Sequence, residues 1–572
     1  MKKIIPIFLC CTMLWGCANT IPAQTTVDTA SSSVAGNVVY PGLVSTNSVQ
    51  VPFASRFESE TLIGLSDEGI TVNGGGETET VYTSHDIIYY EQKTAYESGL
   101  PYGAGSEKDM HTAEEAAAHT VVNITAPGTY RITGKLSAGQ IRIDLGKDAD
   151  EDENAVVELI LDDVDITCTV GPAILFKNVY ECDGNWSEET ATAEVDTAKA
   201  GAVLVLEGEN TVSGSYVAKI YKDKEGEKKL YKQDGAIYSY MSMNVYGPGT
   251  LNLFAENEGL DTELHLTING GNINISADND GINTNEDNVS VVTINGGNLH
   301  ILAGLGEEGD GIDSNGFITI NGGIVITAAN PASDSGLDSD RGSFIHGGTV
   351  LALGSSMDGA ESESTQTTMN VQFSQTPTGA IVLTYPNGTV VFAYDPGADS
   401  LLAGTARRYT GMTLSSPNLY QGQTYQLYTG GDVTGDQTGG VYDPTTVTGY
   451  TGGTQMAYTG QGDIGFPGGM GGAMGRPDGM GGNGQRPELP DGQMPSMPDG
   501  EMPSMPEGEM PTWPEGQEPS APDGEIPSMP EGERPEKPEG GREPGGMQQS
   551  GEASTDFTLT DTVTNFSGVT KA

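Results

Sequence analysis

Four copies of one short motif constrain this chain more than any other feature. Ile268-Asn269-Gly270-Gly271 recurs as Ile294-Asn295-Gly296-Gly297, Ile320-Asn321-Gly322-Gly323 and Ile345-His346-Gly347-Gly348, at steps of 26, 26 and 25 residues. A second element alternates with it: Gly259-Leu260-Asp261, Gly281-Ile282-Asn283, Gly311-Ile312-Asp313 and Gly336-Leu337-Asp338. Apolar residues alternate on both sides of each Gly-Gly, as in Leu264, Leu266, Ile268 and then Ile273, Ile275. That period of two is a strand with one buried face, and the glycine pair supplies the backbone freedom for a tight corner. A unit this short cannot bury its own apolar face. Stacked coils can, with strands of successive coils paired in parallel about 4.8 Å apart. The expected fold is all-β, a parallel β-helix of roughly ten coils over residues 120–355.

The 572 residues exceed what one compact core holds, about 250–300, and composition divides them. Residues 61–360 carry the coils. Residues 361–440 read as a β-rich cap over the last coil, with Pro386-Asn387-Gly388 as a hairpin turn. Residues 441–550 are a low-complexity tail: Gly/Met-rich, then repeats of Met-Pro-Ser-Met-Pro-Asp/Glu-Gly, which favour an extended, disordered spacer over a packed core. Residues 551–572 are strand-like again through Phe557, Leu559, Val563 and Phe566, and either dock back or serve as an attachment segment. Residues 110–119, rich in Glu and Ala, are the one convincing helix.

At the N-terminus, Lys2 and Lys3 precede an apolar run from Ile4 to Trp15 that is too short to span a bilayer. It ends in Leu14-Trp15-Gly16-Cys17, which resembles the lipobox of bacterial lipoproteins. Residues 1–17 are thus expected to be a lipoprotein signal with Cys17 the lipidated residue, and 18–60 a tether. The chain would sit lipid-anchored on the extracellular face of a bacterial membrane. Cys10 and Cys11 leave with the signal. Cys168 and Cys182 remain, either as a disulfide or as two unpaired thiols.

Acidic residues outnumber basic ones 79 to 26, for a net charge of −53. That excludes a protein that holds nucleic acid by neutralising phosphates. The acids are also patterned. Stacking the repeats sets Asp261, Asn283, Asp313 and Asp338 over one another. A second row three residues earlier holds Glu258, Asp280, Asp310 and Ser335, and a third two residues later holds Glu263, Asn285, Asn315 and Asp340. Carboxylates about 5 Å apart repel by about 3 kcal/mol per contact at an effective dielectric near 20. A hard cation offsets this: calcium takes six to eight carboxylate, amide and backbone oxygens. The candidate ligands are Asp261, Asp280, Asn283, Asp310, Asp313, Asp338 and Asp340. The alternative is that these turns face water, with Asp and Asn capping their own backbone. The row Asn269, Asn295, Asn321 beside the corners reads as structural, and the acidic run Asp148–Glu153 as a solvated loop.

The Thr-Ile-Asn-Gly-Gly corners and Asp-Gly-Ile-Asp/Asn turns carry a further signal. So do Pro127-Gly128-Thr129-Tyr130 with Ile132-Thr133-Gly134, and Leu161-Asp162-Asp163-Val164-Asp165-Ile166. Together these motifs resemble the carbohydrate-binding right-handed parallel β-helix proteins of Gram-positive cell surfaces, over roughly residues 65–430. The resemblance implies a right-handed, pectate-lyase-like fold, calcium as cofactor, and binding of plant cell-wall polysaccharide, including polygalacturonate and cellulose. Calcium would also let a strongly acidic protein hold an acidic glycan, since bound cations invert the local charge. A neutral glucan needs exposed aromatic faces instead. Trp186, Tyr238 and Tyr240 are the candidates, among Tyr216, Tyr221, Tyr231 and Tyr246 around an insertion at 216–233.

Two other functions compete with a non-catalytic binder. A calcium-dependent polysaccharide lyase on this fold needs a Lys or Arg base. Between residues 255 and 360 there is no Lys, and Arg341 is the sole Arg. The histidines there, His265, His300 and His346, form no Gly-His-Gly pattern of the pectin hydrolases. A structural surface protein or adhesin would use calcium only to stiffen the stack. The expected partner is a polysaccharide, the expected state a monomer.

Overall fold

A computed structural model describes residues 39–91, 102–103, 105–221, 229–405, 407–462 and 552–572. Leu43–Ala572 is one compact unit, and Met1–Gly42 is a separate one, of which only 39–42 are described. Cys17, the signal segment and most of the low-complexity tail lie outside the described residues, as do the side chains of Tyr221 and Tyr231.

Nearly every described element is a strand. Each central repeat contributes three. One joins a nine-stranded sheet that runs, coil by coil, through Gly235–Ser239, Glu258–Thr262, Ile282–Thr284, Ile312–Ser314 and Leu337–Ser339. The other two flank the Gly-Gly corner and join a much larger sheet. Before the corner, Val245, Ile268, Ile294, Ile320 and Ile345 stand in register. After it, Leu251, Ile273, Leu299, Val325 and Val350 do the same. All these pairings are parallel, one repeat apart, and all ten of these side chains are fully buried. Each contributes roughly 1.5–3 kcal/mol relative to exposure. The interior is one continuous cluster from Ile63 to Ala360. Stacked parallel rungs of this kind fit a solenoid.

The corners explain the glycines. Gly297 has φ +92°, and a Cβ there would lie 2.9 Å from the Gly271 carbonyl of the coil before. Beside them Asn295 Nδ2 donates to Asn269 Oδ1, and Asn321 Nδ2 donates to Asn295 Oδ1, both at 2.9 Å. The asparagine row is a structural ladder, as expected.

The ends of the stack are covered. The helix is short, Ala113–Ala117, started by a capping box in which Thr112 Oγ1 accepts from Glu115 N and Glu115 Oε2 accepts from Thr112 N. At the far end Gly411–Ser415 pairs antiparallel with the last coil strand, Thr349–Gly354. The cap extends past residue 440, through strands as far as Gly460–Gln461. The C-terminal segment docks back: Val563–Lys571 pairs in parallel with Thr368–Phe373 and buries Phe566 and Val569. The described part of the expected tether is not free either. Val51 N donates to Asn269 O and Val49 O accepts from Gly297 N, both at 2.8 Å, so residues 49–51 run along the corners, while Val44 bonds with Asn418 and Arg56 N donates to Glu158.

Candidate functional site: a buried stack of carboxylates

The acidic rows fall on the nine-stranded sheet because its strands are only three to five residues long in the central coils, and each enters from a turn. Register places Tyr238, Asp261 and Asn283 in line, and Asp313 beside Asp338. The pairing of Ile282 with Ile312 brings Asn283 and Asp313 to the same level. The second row is tied to the backbone of the next coil: Asp280 Oδ1 accepts from Asp310 N at 2.7 Å, and Asp310 Oδ1 from Ser335 N at 2.6 Å. Asp358, beyond the last coil, continues the pattern by accepting from Ser339 N and Oγ.

Burial is graded along the stack. Asp261 is 0% exposed, Glu258 4%, Asn283 6% and Asp280 7%. Asp310, Asp313 and Asp338 are half-buried, and Asp340 is exposed. The chemistry follows from that gradient. Burial, then the neighbouring carboxylates, push Glu258, Asp261 and Asp280 above the usual carboxylate range. Burial and then Asp338 raise Asp310 to about 8, partly offset by the Ser335 N–H. Burial and Asp338 likewise raise Asp358 to about 7. At neutral pH Asp310 is mainly protonated and Asp358 about half so, and a bound cation would displace those protons.

Three buried oxygens at the closed end, Glu258 Oε2, Asp261 Oδ2 and Asn283 Oδ1, receive no donor while the carboxylates are ionised, although the Glu258 side chain lies within hydrogen-bonding reach of Asp261 and Asn283. Orphaned acceptors of this kind cost about 1–3 kcal/mol each. The donor set is all oxygen, carboxylate and amide, which suits a hard divalent cation. Among the described residues no three His, Cys, Asp or Glu side chains converge as a ready-made metal cage. The orphaned trio has only two carboxylates and completes its set with an amide.

The aromatic candidates fare differently. Tyr238 is fully buried, packed edge-on against Tyr240 at 5.1 Å, with its hydroxyl donating to Glu263. Fully buried, its ring cannot stack on a sugar; the strand Lys229–Gln233 reaches this end of the stack through Lys232 to Asn285 and Gln233 Nε2 to the Tyr240 hydroxyl. Tyr240 and Trp186 are half-buried. Cys168 and Cys182 are both free thiols, which overturns the bridge. Cys168 closes a strand and is buried, its thiol pushed up to about 12 by desolvation. Cys182 lies in the loop after the next strand, beside Glu181.

Two groups that a lyase would need are committed elsewhere. Arg341 Nη1 donates to Glu188 O and Asn288 O at 3.0 Å, with its guanidinium 4.8 Å over the Phe317 ring. It ties a loop to the stack. Lys232, which falls outside the repeats, is held protonated: burial works against its charge, but Asp234, Glu258, Asp261 and Glu263 hold its pKa well above the ordinary value. That is the wrong direction for a base.

The repeat pattern also gave no sign of the strap at 181–199. It lies over the outer face of the coils, with Thr319 Oγ1 donating to Ala193 O and Thr197 packed on Asn244 and Thr267. Beneath it is a cavity of about 390 Å³ walled by Asp183, Glu194, Asp196, Lys199 and His265. Val291 N donates to His265 Nδ1, which leaves Nε2 to donate to Asp183.

Residues 118–390 match the family described as carbohydrate-binding domain-containing protein. That span holds the whole acidic stack. A protein of Acetivibrio thermocellus with the same description is 30% identical over 157 residues. The alignment takes in 27% of this chain and 45% of that relative, so this chain spans less than half of the relative's length. A solved structure of a polysaccharide lyase-like protein from C. thermocellum is 22% identical, with a TM-score of 0.30, over 51% of this chain and 94% of that one.

Proposed function

We propose that this chain is a non-catalytic, calcium-dependent binder of acidic plant cell-wall polysaccharide, of the polygalacturonate type. In this reading the coils form a right-handed parallel β-helix, held at the outer face of a bacterial membrane by a lipid on Cys17. The observation that carries it is the stack of buried carboxylates with raised pKa values and orphaned oxygens. Such a stack is self-repelling once ionised, and divalent cations between the rungs relieve it. The residues that would hold them are Asp261, Asp280, Asn283, Asp310, Asp313 and Asp338, with Glu258 and Asp358 at the two ends. Calcium supplies positive charge with several coordination positions.

The graded burial assigns different work to the two ends. Around Asp261 the cover is complete, so cation binding there stabilises the fold. Around Asp313, Asp338 and Asp340 the stack reaches solvent, and a uronate carboxylate can share a cation with the protein there. The family match over 118–390 supports carbohydrate as the ligand class. A second reading, a calcium-stiffened surface scaffold, is favoured by the complete burial of Asp261.

Affinity electrophoresis of the intact chain through polygalacturonate gels separates the two. Retardation with calcium and none with chelator, without release of unsaturated products, is the binder's signature. No retardation together with a large calcium-dependent rise in melting temperature leaves the scaffold. Unsaturated products would mark a lyase.

A further inference from the structure

At the closed end of the acidic stack a lysine meets a carboxamide. Lys232 belongs to the hairpin strand Lys229–Gln233, just before the coil strand Gly235–Ser239. Its side chain is only 13% exposed, and its ammonium lies 2.9 Å from Asp234 Oδ2. The same nitrogen donates to Asn285 Oδ1, 53 residues further on, in the turn after the coil strand Ile282–Thr284. Asn285 is held from its other side. Its Nδ2 donates to Asp261 Oδ1 at 2.5 Å and to Thr262 O at 3.2 Å. The amide is thus fixed with its oxygen toward the lysine and its nitrogen toward Asp261.

A primary amine, a carboxamide and a carboxylate beside each are the reactants and proton carriers of an amide exchange. The bond from Nζ to Oδ1 holds the amine beside Cγ, the carbon it would attack, and packing keeps the pair together. Asp234 takes a proton from the ammonium, and Nζ forms a bond to Cγ. The Cγ–Nδ2 bond then breaks, and Asp261, already bonded to Nδ2, relays a proton to the departing nitrogen. The sum is an alkylammonium plus a primary amide giving a secondary amide plus an ammonium ion. Atoms and charge balance, and no oxidant or energy source is needed. The carboxylates that hold Lys232 protonated slow the step. It has to happen only once in the life of each molecule, and escape of ammonia into water draws it forward.

We propose that Lys232 and Asn285 join through an isopeptide bond between Nζ and Cγ, a covalent staple that ties the hairpin to the coil two rungs past Gly235–Ser239. The staple consumes the ammonium and leaves Glu258, Asp261 and Asn283 their oxygens, so it is compatible with a cation at Asp261. It does not rest on the cation-binding reading above.

The test is peptide mapping by mass spectrometry of the intact chain and of Lys232→Arg, after digestion with a protease that cleaves beside acidic residues. Asp234, Glu256 and Asp261 are among the cleavage sites between the two partners. The native chain should yield one branched peptide carrying both Lys232 and Asn285, lighter than its two parts together by one ammonia. Lys232→Arg keeps the charge but lacks the primary amine, and should yield two separate peptides of full mass. Two separate full-mass peptides from the native chain overturn the inference. So does an ammonia loss confined to a peptide without Lys232, which marks a cyclised Asn-Gly corner such as Asn269-Gly270. Should Lys232→Arg not fold, the native digest still decides. Calcium titration of the same preparation keeps the two readings apart. A linked chain that binds no calcium leaves the staple standing and sinks the cation reading, and an unlinked chain that binds calcium does the reverse.

Discussion

Asp310→Asn should make the metal-free protein more stable at alkaline pH, although it alters a residue proposed to bind the ligand. The Asp310 carboxyl titrates at about 8 in the fold against 3.8 for the free side chain. Ionising it in the fold therefore costs on the order of 5 kcal/mol more than in the unfolded chain. Because the folded value is the higher one, the associated stability is fully present below the unfolded value. It is lost as pH rises through the folded one, so the penalty is complete by about pH 9. Asparagine keeps the Oδ1 that accepts from Ser335 N and never ionises. It also relieves Asp338, Asp313 and Asp334 of a like charge. Part of the cost, desolvation of a polar group, stays with the amide, so a net gain of about 3 kcal/mol is expected near pH 9 in chelator. That corresponds to a rise of roughly 5 °C or more in melting temperature. Near pH 4 the native carboxyl is protonated, and the two proteins should agree within about 1 kcal/mol. With calcium at the alkaline pH the order should reverse, since only the native chain gains from the ion. Calorimetric melting across this pH range, in chelator and in calcium, reads all three arms. A variant no more stable than the native chain in chelator at alkaline pH would refute the reasoning, for it would mean that Asp310 is not under charge strain.

Asn295→Ala breaks two amide bonds of the corner ladder at once and should cost about 2 kcal/mol, read as a lower urea midpoint with calcium binding retained. Deleting residues 552–572 removes Phe557, Leu559, Phe566 and Val569, all fully buried, at roughly 1.5–3 kcal/mol each. The cap should then melt ahead of the coils, and a synthetic 552–572 peptide should restore it. Adding calcium near neutral pH should release protons from Asp310 and Asp358, whose values of about 8 and about 7 bracket it. A pH-stat should record that release and find it gone near pH 10.

The parts of the fold that were legible are those that every coil demands again. The Ile268-Asn269-Gly270-Gly271 pattern appears because each corner needs a positive-φ glycine, a laddered amide and an inward apolar residue. The acidic rows were legible for the same reason: the third place of each Gly-Leu/Ile-Asp/Asn turn puts Asp261, Asn283, Asp313 and Asp338 on one line. What was missed happens once and across long separations. Lys232 reaches the stack from an insertion whose composition resembles an exposed loop. Tyr238, which looked like a surface aromatic, is buried against Tyr240. Residues 43–59 read as a tether because their Ser, Thr and Pro content says nothing of the backbone bonds that Val49 and Val51 lend to the corners. Val563–Lys571 had the right alternation for a strand, but only the three-dimensional pairing with Thr368–Phe373 shows where it goes.

The central claim joins two things, cations in the acidic stack and an acidic glycan on its open end. Titration of polygalacturonate oligomers into the intact chain tests it most directly, once in saturating calcium and once in chelator. Saturable binding in calcium that disappears in chelator, and that weakens at least about tenfold in Asp313→Asn/Asp338→Asn, is the predicted result. Equal binding in both buffers, or none in either while calcium still raises the melting temperature, would contradict it.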